Sequence, residues 1–449
     1  MTGTGNQRQM HLAAFLFNTG NHIASWRYPP TKTSEFLTFP FYRKLAETAE
    51  RGKFDLVFHS DGVGINDRYD DIVRRTVTIR PEPISLLSAL AAVTDRVGLA
   101  ATISTTYNEP FHVARKFATL DFLSGGRAAM NVVTSSTTLE ANNFGKAEHL
   151  EHATRYRRAQ EFVEVAKALW DSWEDEALVF DREEGSFADP AKVHRLDHKG
   201  EFFTVRGPLN VPRPPQGHPV IIQAGVSPTG QNLAARIADI VFVVNPSLAD
   251  AKLRYRTLKE LVGTAGRSPS DVKILSGIMP IIGATTQEAR DKARQLDDLI
   301  HPTIAVAYLS DLLDFDLSAY PIDGPLPDLP ETNGEQGRSR MIIDRAKREN
   351  LSIREASAGL VAARGHASFV GTPVQIADEM EKWFTEAACD GFNVMPAYHP
   401  GGLEEFVDLV VPELQRRGLF RREYTGRTLR DHLGLGRPAN GFDRAAAGR

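Results

Sequence analysis

Residues 97–135, VGLAATISTTYNEPFHVARKFATLDFLSGGRAAMNVVTS, contain the pattern that decides the fold. An apolar run at 97–105 is followed by a helix-period segment at 111–123, and the turn at 124–127 then opens a second apolar run at 128–135. Near-continuous apolar runs are typical of parallel strands buried on both faces, and parallel strands need a crossover between them. The stretch therefore predicts a strand, a helix and a second, parallel strand.

The same alternation recurs along the chain and gives eight strand candidates. They cover residues 10–18, 55–61, 97–105, 128–135, 219–226, 240–246, 273–284 and 391–397. Helix-period segments lie between them, and the clearest has Ala159, Phe162, Val163 and Ala166 on one face. Eight such units predict an α/β fold, a (β/α)8 TIM barrel. The competing fold, a doubly wound sheet, would place a GxGxxG turn after its first strand, whereas residues 18–22 read NTGNH.

The length of the chain exceeds what a barrel needs. A barrel takes about 250 residues, and the chain has 449. We therefore assign residues 1–435 to one barrel domain with two long insertions, at about 171–218 and 302–371, and residues 436–449 to a C-terminal tail. The first insertion has a proline-rich end, and the second includes residues 320–327, a segment that cannot be regular helix or central strand.

Composition narrows the class of protein. Hydrophobic residues at 42% and charged residues at 24% indicate a large packed core. Lys and Arg number 53 against 57 Asp and Glu, and this balance argues against nucleic-acid binding. The single cysteine, Cys389, excludes an internal disulfide framework and a multi-cysteine metal site. No segment has the apolar length of a signal peptide or a membrane span, so we expect a cytoplasmic protein with no membrane partner.

Barrel enzymes place their active sites at the C-terminal ends of the strands, where this chain has several polar side chains. These candidates include His22, Asp61, Thr102 and Asn131. Only Asp61 supplies a carboxylate at a strand end, which argues against glycosidase chemistry because that needs two. Structural explanations remain open, since Asp61 can cap a loop and Thr102 fits strand propensity.

The most informative local segment is 223–230, QAGVSPTG. Ser227 suits a helix N-cap and Pro228 the first helical position, so the segment predicts a helix N-terminus directly after a strand. Such an end binds phosphate through free N–H groups and the helix dipole. The alternative is that Ser227 only caps the helix.

One further pair of candidates lies at the start of a helix. His152 and Tyr156 are four residues apart and share a helix face. The structural alternatives are that His152 only caps the helix and that Tyr156 is a core aromatic residue in its first turn. His149 and His152 lack an HExxH motif or a matching carboxylate cluster, so we predict no metal site.

Several segments together resemble one family, the bacterial-luciferase-like flavin monooxygenases of the nitrilotriacetate, EDTA and dibenzothiophene-sulfone monooxygenase group. The segments are 98–110, 123–127, 131–135, 151–156, 205–212 and 223–225, and the resemblance extends from about residue 10 to residue 435. It implies a TIM barrel that binds reduced FMN supplied by a separate flavin reductase. By the same resemblance, the FMN contacts are Asp61, Thr102, His152, Tyr156 and Ser227, with Asn131 as an addition.

The resemblance also implies an activity. Members of this group use reduced FMN and O2 to oxidise a small organosulfur or organonitrogen compound, with carbon–sulfur or carbon–nitrogen bond cleavage. Segments 173–178 and 187–194 are closer to the sulfone branch, whereas 20–27 departs from it. We predict that His22, in the departing segment, is a catalytic group that steers a proton.

Partners and alternatives follow from the same comparison. The resemblance implies a homo-oligomer, dimer or tetramer, that contacts its reductase transiently. Two alternatives stay open: a luciferase-like oxidoreductase that uses a deazaflavin, and a non-catalytic flavin-binding protein.

Overall fold

The computed structural model describes residues 8–65, 67, 69–225, 227–330 and 336–442. The strands are β1 (His11–Phe15), β2 (Leu56–His59), β3 (Gly98–Ser104), β4 (Ala128–Val133), β5 (Leu178–Asp181), β6 (Ser186–Ala188), β7 (His198–Lys199), β8 (Thr204–Val205), β9 (Val220–Gln223), β10 (Ile240–Val243), β11 (Lys273–Ile282), β12 (Ala367–Gly371) and β13 (Gly391–Val394).

The helices alternate with the strands along most of the chain. They are α1 (Phe39–Arg51), α2 (Asp70–Arg75), α3 (Pro83–Ala91), α4 (Pro110–Ser124), α5 (Thr138–Asn142), α6 (His152–Trp170), α7 (Pro228–Ile237), α8 (Leu248–Thr264), α9 (Thr286–Asp298), α10 (Pro302–Leu313), α11 (Gln336–Glu349), α12 (Ile353–Val361), α13 (Pro373–Thr385), α14 (Gly401–Glu405), α15 (Val411–Arg416) and α16 (Leu429–His432). None of these described helices is both long and apolar enough to cross a membrane.

Eight parallel strands close into a barrel, and the predicted (β/α)8 TIM barrel is confirmed. They are β1, β2, β3, β4, β9, β10, β11 and β13. The barrel closes because β10 pairs with β11 on one side and β13 pairs with both β1 and β11 on the other. The observed strands end one to three residues before the predicted runs do, because the chain turns into loops there. Asn18, for example, already has a left-handed φ of 42°.

One strand attached to this sheet has no counterpart among the sequence predictions. β12 pairs with the second half of β11, with Ile278 opposite Ala367 and Ile282 opposite Gly371. Its residues alternate between buried and exposed, so it lacks the continuous apolar run that marks the other strands.

Three aspartates join neighbouring strands at the N-terminal end of the barrel. Each aspartate directly precedes a strand and makes two hydrogen bonds to one residue of the neighbouring strand. Its backbone N–H donates to the carbonyl of that residue, and its carboxylate accepts the backbone N–H of that residue. The pairs are Asp55 with Leu12, Asp239 with Ile221 and Asp390 with Ile274. Cations face these carboxylates, namely Arg421 at Asp55, Arg430 at Asp239 and Lys259 at Asp390.

The C-terminal segment closes this end of the barrel. Leu429 at the start of α16 and Leu433 directly after it lie inside the barrel, in one apolar cluster with Leu56 and Ala100. A Cβ on Gly98 would lie 2.8 Å from a Leu429 methyl group, so the fit is close. Because this end is filled, the C-terminal ends of the strands form the open end.

The two predicted insertions have structures of their own. Residues 171–218 contain the hairpins β5–β6 and β7–β8. Residues 302–371 contain α10, α11 and α12, which share a separate apolar cluster formed by Leu309, Leu313, Ile342 and Ile353 among others. In the predicted tail, Arg437 pairs with Asp175 of the first insertion, and residues 443–449 lie outside the described residues. The assignment of 1–435 to a single domain stays a prediction.

The ion pair at Asp55 yields a prediction about acid stability. Burial raises the pKa of this carboxyl, but the Arg421 guanidinium and His11 outweigh it and hold the pKa at about 2, below the ordinary value of 3.8. The stability from this shift is present above about pH 4 and is lost as the pH falls towards 2. We expect Asp55→Asn to lower the free energy of unfolding at pH 7 by about 3 kcal/mol, because Arg421 loses its charge partner.

Urea unfolding followed by circular dichroism measures this difference, which should shrink between pH 4 and pH 2. The matched control is Asp408→Asn, whose pair with Arg51 is exposed. That variant should stay within about 0.5 kcal/mol of the unaltered protein. Equal stability of the two variants would contradict the role given to Asp55.

Candidate active site

A cavity of about 370 Å³ lies at the open end of the barrel. Its wall is formed by residues that follow β2, β4, β9 and β10, by the first turn of α6 and by the N-terminus of α7. The second insertion adds Gly337 and His366. This volume is in the range of small-molecule sites. Among the predicted site residues, Asp61, His152, Tyr156 and Ser227 line the cavity.

The N-terminus of α7 is one end of the cavity. Ser227 Oγ accepts the N–H of Gly230 at 3.1 Å and so caps the helix, as predicted. A Cβ on Gly230 would lie 3.1 Å from Ser227 Oγ and 3.1 Å from the Tyr156 hydroxyl, so these groups converge on a helix position that carries no side chain. The positive end of the helix dipole makes this end suitable for an anion.

The first turn of α6 adds a buried charge beside that end. The rings of His152 and Tyr156 lie 4.8 Å apart, as their spacing predicted. Between them in sequence, Arg155 is only 1% exposed, donates from Nη1 to the Ser135 carbonyl at 2.8 Å and contacts the ring of His149. Burial, and next the charge of Arg155, lower the pKa of both histidines, so both imidazoles are neutral near pH 7.

Arg155 was absent from the predicted site, although the sequence contains a signal for it. The buried stripe of α6 runs through Arg155, Ala159, Phe162 and Ala166. An arginine in a buried helical stripe is costly unless it has partners or a ligand. A charge inside an apolar stripe therefore marks the wall of a functional cavity.

Thr102 and Asn131 lie deeper in the barrel than the cavity wall. The Asn131 amide donates to Thr102 Oγ1 at 3.0 Å, and Thr102 Oγ1 donates to the His59 carbonyl at 3.0 Å. Within the described part of the chain, Asn131 Oδ1 has no donor, and neither has Oε1 of Gln223 in the cavity wall. Such buried acceptors normally have a partner, so a ligand with N–H groups suits this depth.

Asp61 belongs to an acidic corner of the cavity. Its carboxylate accepts the Gly62 N–H at 2.8 Å. Burial raises the pKa of Asp61, and the charges of Glu82 and Glu140 act in the same direction. Glu140 accepts the backbone N–H groups of Val63 and Ser136, which ties the loops after β2 and β4 together.

Like Thr102 and Asn131, His22 does not line the cavity. Its side chain is 1% exposed, its Nε2 lies 3.2 Å from a carboxylate oxygen of Asp297 in α9, and its Nδ1 accepts the Ala24 N–H. The proton-steering role of His22 stays a prediction that these contacts do not support. Among the described residues, no group of three or more His, Cys, Asp or Glu side chains could hold a metal ion.

Comparison with known proteins gives relatives along almost the whole chain. A family profile described as luciferase-like monooxygenase matches residues 14–390. The chain is 49% identical to N-acetyl-S-(2-succino)cysteine monooxygenase of Bacillus subtilis (strain 168), covering 98% of this chain and 99% of that protein. It is 48% identical to nitrilotriacetate monooxygenase component A of Aminobacter aminovorans, with 97% and 98% covered.

Two further comparisons bear on substrate and cofactor. The chain is 46% identical to dibenzothiophene-sulfone monooxygenase of Rhodococcus erythropolis (strain XP), covering 96% of this chain and 97% of that protein. A solved structure of riboflavin lyase with modified FMN and riboflavin superposes with a TM-score of 0.88 at 31% identity, covering 98% of this chain and 99% of that one.

The position of Arg155 predicts how two histidines titrate. We expect nuclear magnetic resonance titration to give pKa values for His149 and His152 below the ordinary 6.5. Arg155→Gln should raise both values, because the neighbouring positive charge is removed while burial remains. The control is Arg157→Gln on the exposed side of α6, which should change neither. Unchanged titration in Arg155→Gln would show that burial alone sets these values.

Proposed function

The chain belongs to the luciferase-like monooxygenase family, as the sequence resemblance predicted, and on this premise we propose that it is a two-component FMN-dependent monooxygenase. It takes reduced FMN from a separate flavin reductase and uses O2 to oxidise a small organosulfur or organonitrogen compound. The observation that carries the proposal is the convergence of Ser227, Tyr156 and the bare turn at Gly230 on one end of the cavity.

The residues present fit the parts of FMN. The phosphate is a dianion, and the N-terminus of α7 with Ser227, Tyr156 and the nearby Arg155 charge suits it. The flavin ring carries an N–H group, which suits the orphaned acceptor of Gln223. We propose the remaining contacts as predicted from the resemblance, with Asp61 and His152 in the wall and Thr102 and Asn131 beneath it.

The division of roles follows from this arrangement. When bound, reduced FMN supplies the electrons that activate O2. The chain's own residues bind, orient and exclude water. His366 and Gly337 extend the wall from the second insertion, and the His366 ring stacks on Phe242 with 5.4 Å between centres. These stacked rings cover part of the cavity and so help to keep water from the reacting atoms.

The substrate class is supported by the relatives' names alone. These name a thioether, an aminopolycarboxylate and a sulfone, and identities between 46% and 49% do not separate the three. We therefore propose oxidation with cleavage of a carbon–sulfur or carbon–nitrogen bond. A transient contact with the reductase and a homo-oligomer, dimer or tetramer, are part of the same proposal.

The assay for this function combines the purified protein with FMN, NADH, O2 and an unrelated flavin reductase. Sulfones, thioethers and aminopolycarboxylates are supplied, and products are followed by mass spectrometry. We expect a product with one added oxygen atom, or cleavage with release of sulfite or an amine. Anaerobic reduction with a deazaflavin would favour the second oxidoreductase class instead. Tight binding of oxidised FMN without any product would favour a flavin-binding protein.

The phosphate end of the cavity yields a separate binding prediction. We expect Ser227→Ala and Tyr156→Phe each to weaken FMN binding about tenfold, because each loses one hydrogen bond to a charged group. Riboflavin, which lacks the phosphate, should bind these variants as it binds the unaltered protein. Quenching of flavin fluorescence measures both affinities.

The matched control is Ser247→Ala, which removes the equivalent N-cap of α8 away from the cavity. It should leave FMN affinity unchanged. Equal weakening of FMN and riboflavin by the Ser227 and Tyr156 variants would contradict the placement of the phosphate.

A further inference from the structure

Two arginines that are far apart in sequence lie against the same phenylalanine at the open end of the barrel. The guanidinium carbon of Arg80 is 5.4 Å from the centre of the Phe17 ring, and that of Arg364 is 4.7 Å from it. The Phe17 ring stacks on the Phe15 ring, and the centre of the Phe15 ring is 6.5 Å from that of Phe242, which lines the cavity. The two charges therefore lie beside the cavity that we assign to flavin and substrate.

Arg80 lacks a counterion within the described part of the chain. Its guanidinium makes neither a hydrogen bond nor an ion pair with the residues described there. The carboxylates of Asp61 and Glu140 attract it only from beyond ion-pair distance, and both accept backbone N–H groups. Burial lowers the pKa of Arg80, and the charge of Arg364 acts in the same direction. A partly buried guanidinium in this setting gains from an anion that comes from outside the chain.

Arg364 is held in place by its surroundings. Its Nε donates to the Asn21 carbonyl at 3.0 Å and its Nη1 donates to the Tyr308 hydroxyl at 3.0 Å. Its backbone φ of 52° lies in the left-handed region, which is unfavourable for a non-glycine residue. Such positions persist where the surrounding structure fixes them, and they are common at ligand clamps.

We propose that Arg80 and Arg364 form an anion subsite that binds a carboxylate of the substrate. The substrate is then a carboxylate-bearing thioether or amine and not a neutral sulfone. Phe17, which both guanidinium groups approach, adds apolar surface beside them for the carbon chain that bears the carboxylate. The proposal rests on the proposed monooxygenase function, because it places the subsite beside the cavity assigned to that reaction.

A matched pair of ligands tests the subsite by binding alone. Thiodiglycolate is a thioether with two carboxylates, and its dimethyl ester is the same thioether without charge. Titration calorimetry measures the affinity of the full chain for each, with and without FMN. We expect the acid to bind at least about tenfold more tightly than the ester, and Arg80→Gln to remove about tenfold of the acid's affinity while leaving the ester unchanged.

Two further variants separate charge from packing. Arg80→Lys keeps the charge but loses the planar donor pair, so its affinity for the acid should fall between those of Arg80→Gln and the unaltered protein. Arg43→Gln removes an exposed arginine from α1 and should change neither affinity. A thermal unfolding midpoint for each variant checks that the fold is kept.

Several results would overturn the subsite. These are no measurable binding of the acid, equal affinity for acid and ester, full retention of acid affinity in Arg80→Gln, and equal loss of acid and ester affinity in that variant. The reductase-coupled assay keeps the two proposals distinguishable. Preferential binding of the acid without any oxygenated product would reject the monooxygenase and keep the subsite. Equal turnover of acid and ester, unchanged by Arg80→Gln, would reject the subsite and keep the monooxygenase.

Discussion

The pairing of buried aspartates with strand backbone at the N-terminal end is the constraint on which the barrel depends. Each of Asp55, Asp239 and Asp390 binds both the N–H and the C=O of one residue on the neighbouring strand, so it fixes the register of two strands at their N-terminal ends. A parallel strand displaced by one residue would lose both bonds. The carboxylates in turn need cations, and Arg421 and Arg430 reach them from the far end of the chain.

The residues that stabilise the barrel and those of the candidate active site therefore lie at opposite ends of the strands. The N-terminal end fixes the strand register, and Leu429 and Leu433 fill the interior there. The loops at the other end can therefore contain polar groups that would destabilise an apolar core. The orphaned acceptors of Gln223 and Asn131 and the buried Arg155 are found there. Each is unfavourable for an empty protein and favourable for one that holds a polar ligand.

The sequence was sufficient to predict the barrel because the parallel strands are continuous apolar runs. It did not predict β12, where that run is absent. It located Ser227 and Tyr156 because capping and helix spacing are local rules. Arg80 and Arg364 have no local signal, since only the closed barrel brings them to Phe17. His22 was placed in the site by its position after a strand. The turn at Gly20, which approaches Tyr398 too closely for any side chain, instead carries the chain across the end of β13 and leaves His22 under α9.

The filling of the barrel by α16 has a consequence for biosynthesis. β1 leaves the ribosome well before its partner β13, which is about 380 residues behind it, and the leucines that fill the barrel interior come later still. At typical rates of translation this wait is on the order of tens of seconds. During that time the nascent sheet has open edges and an unfilled interior, so apolar strand surface stays exposed to association with other chains until α16 has been made.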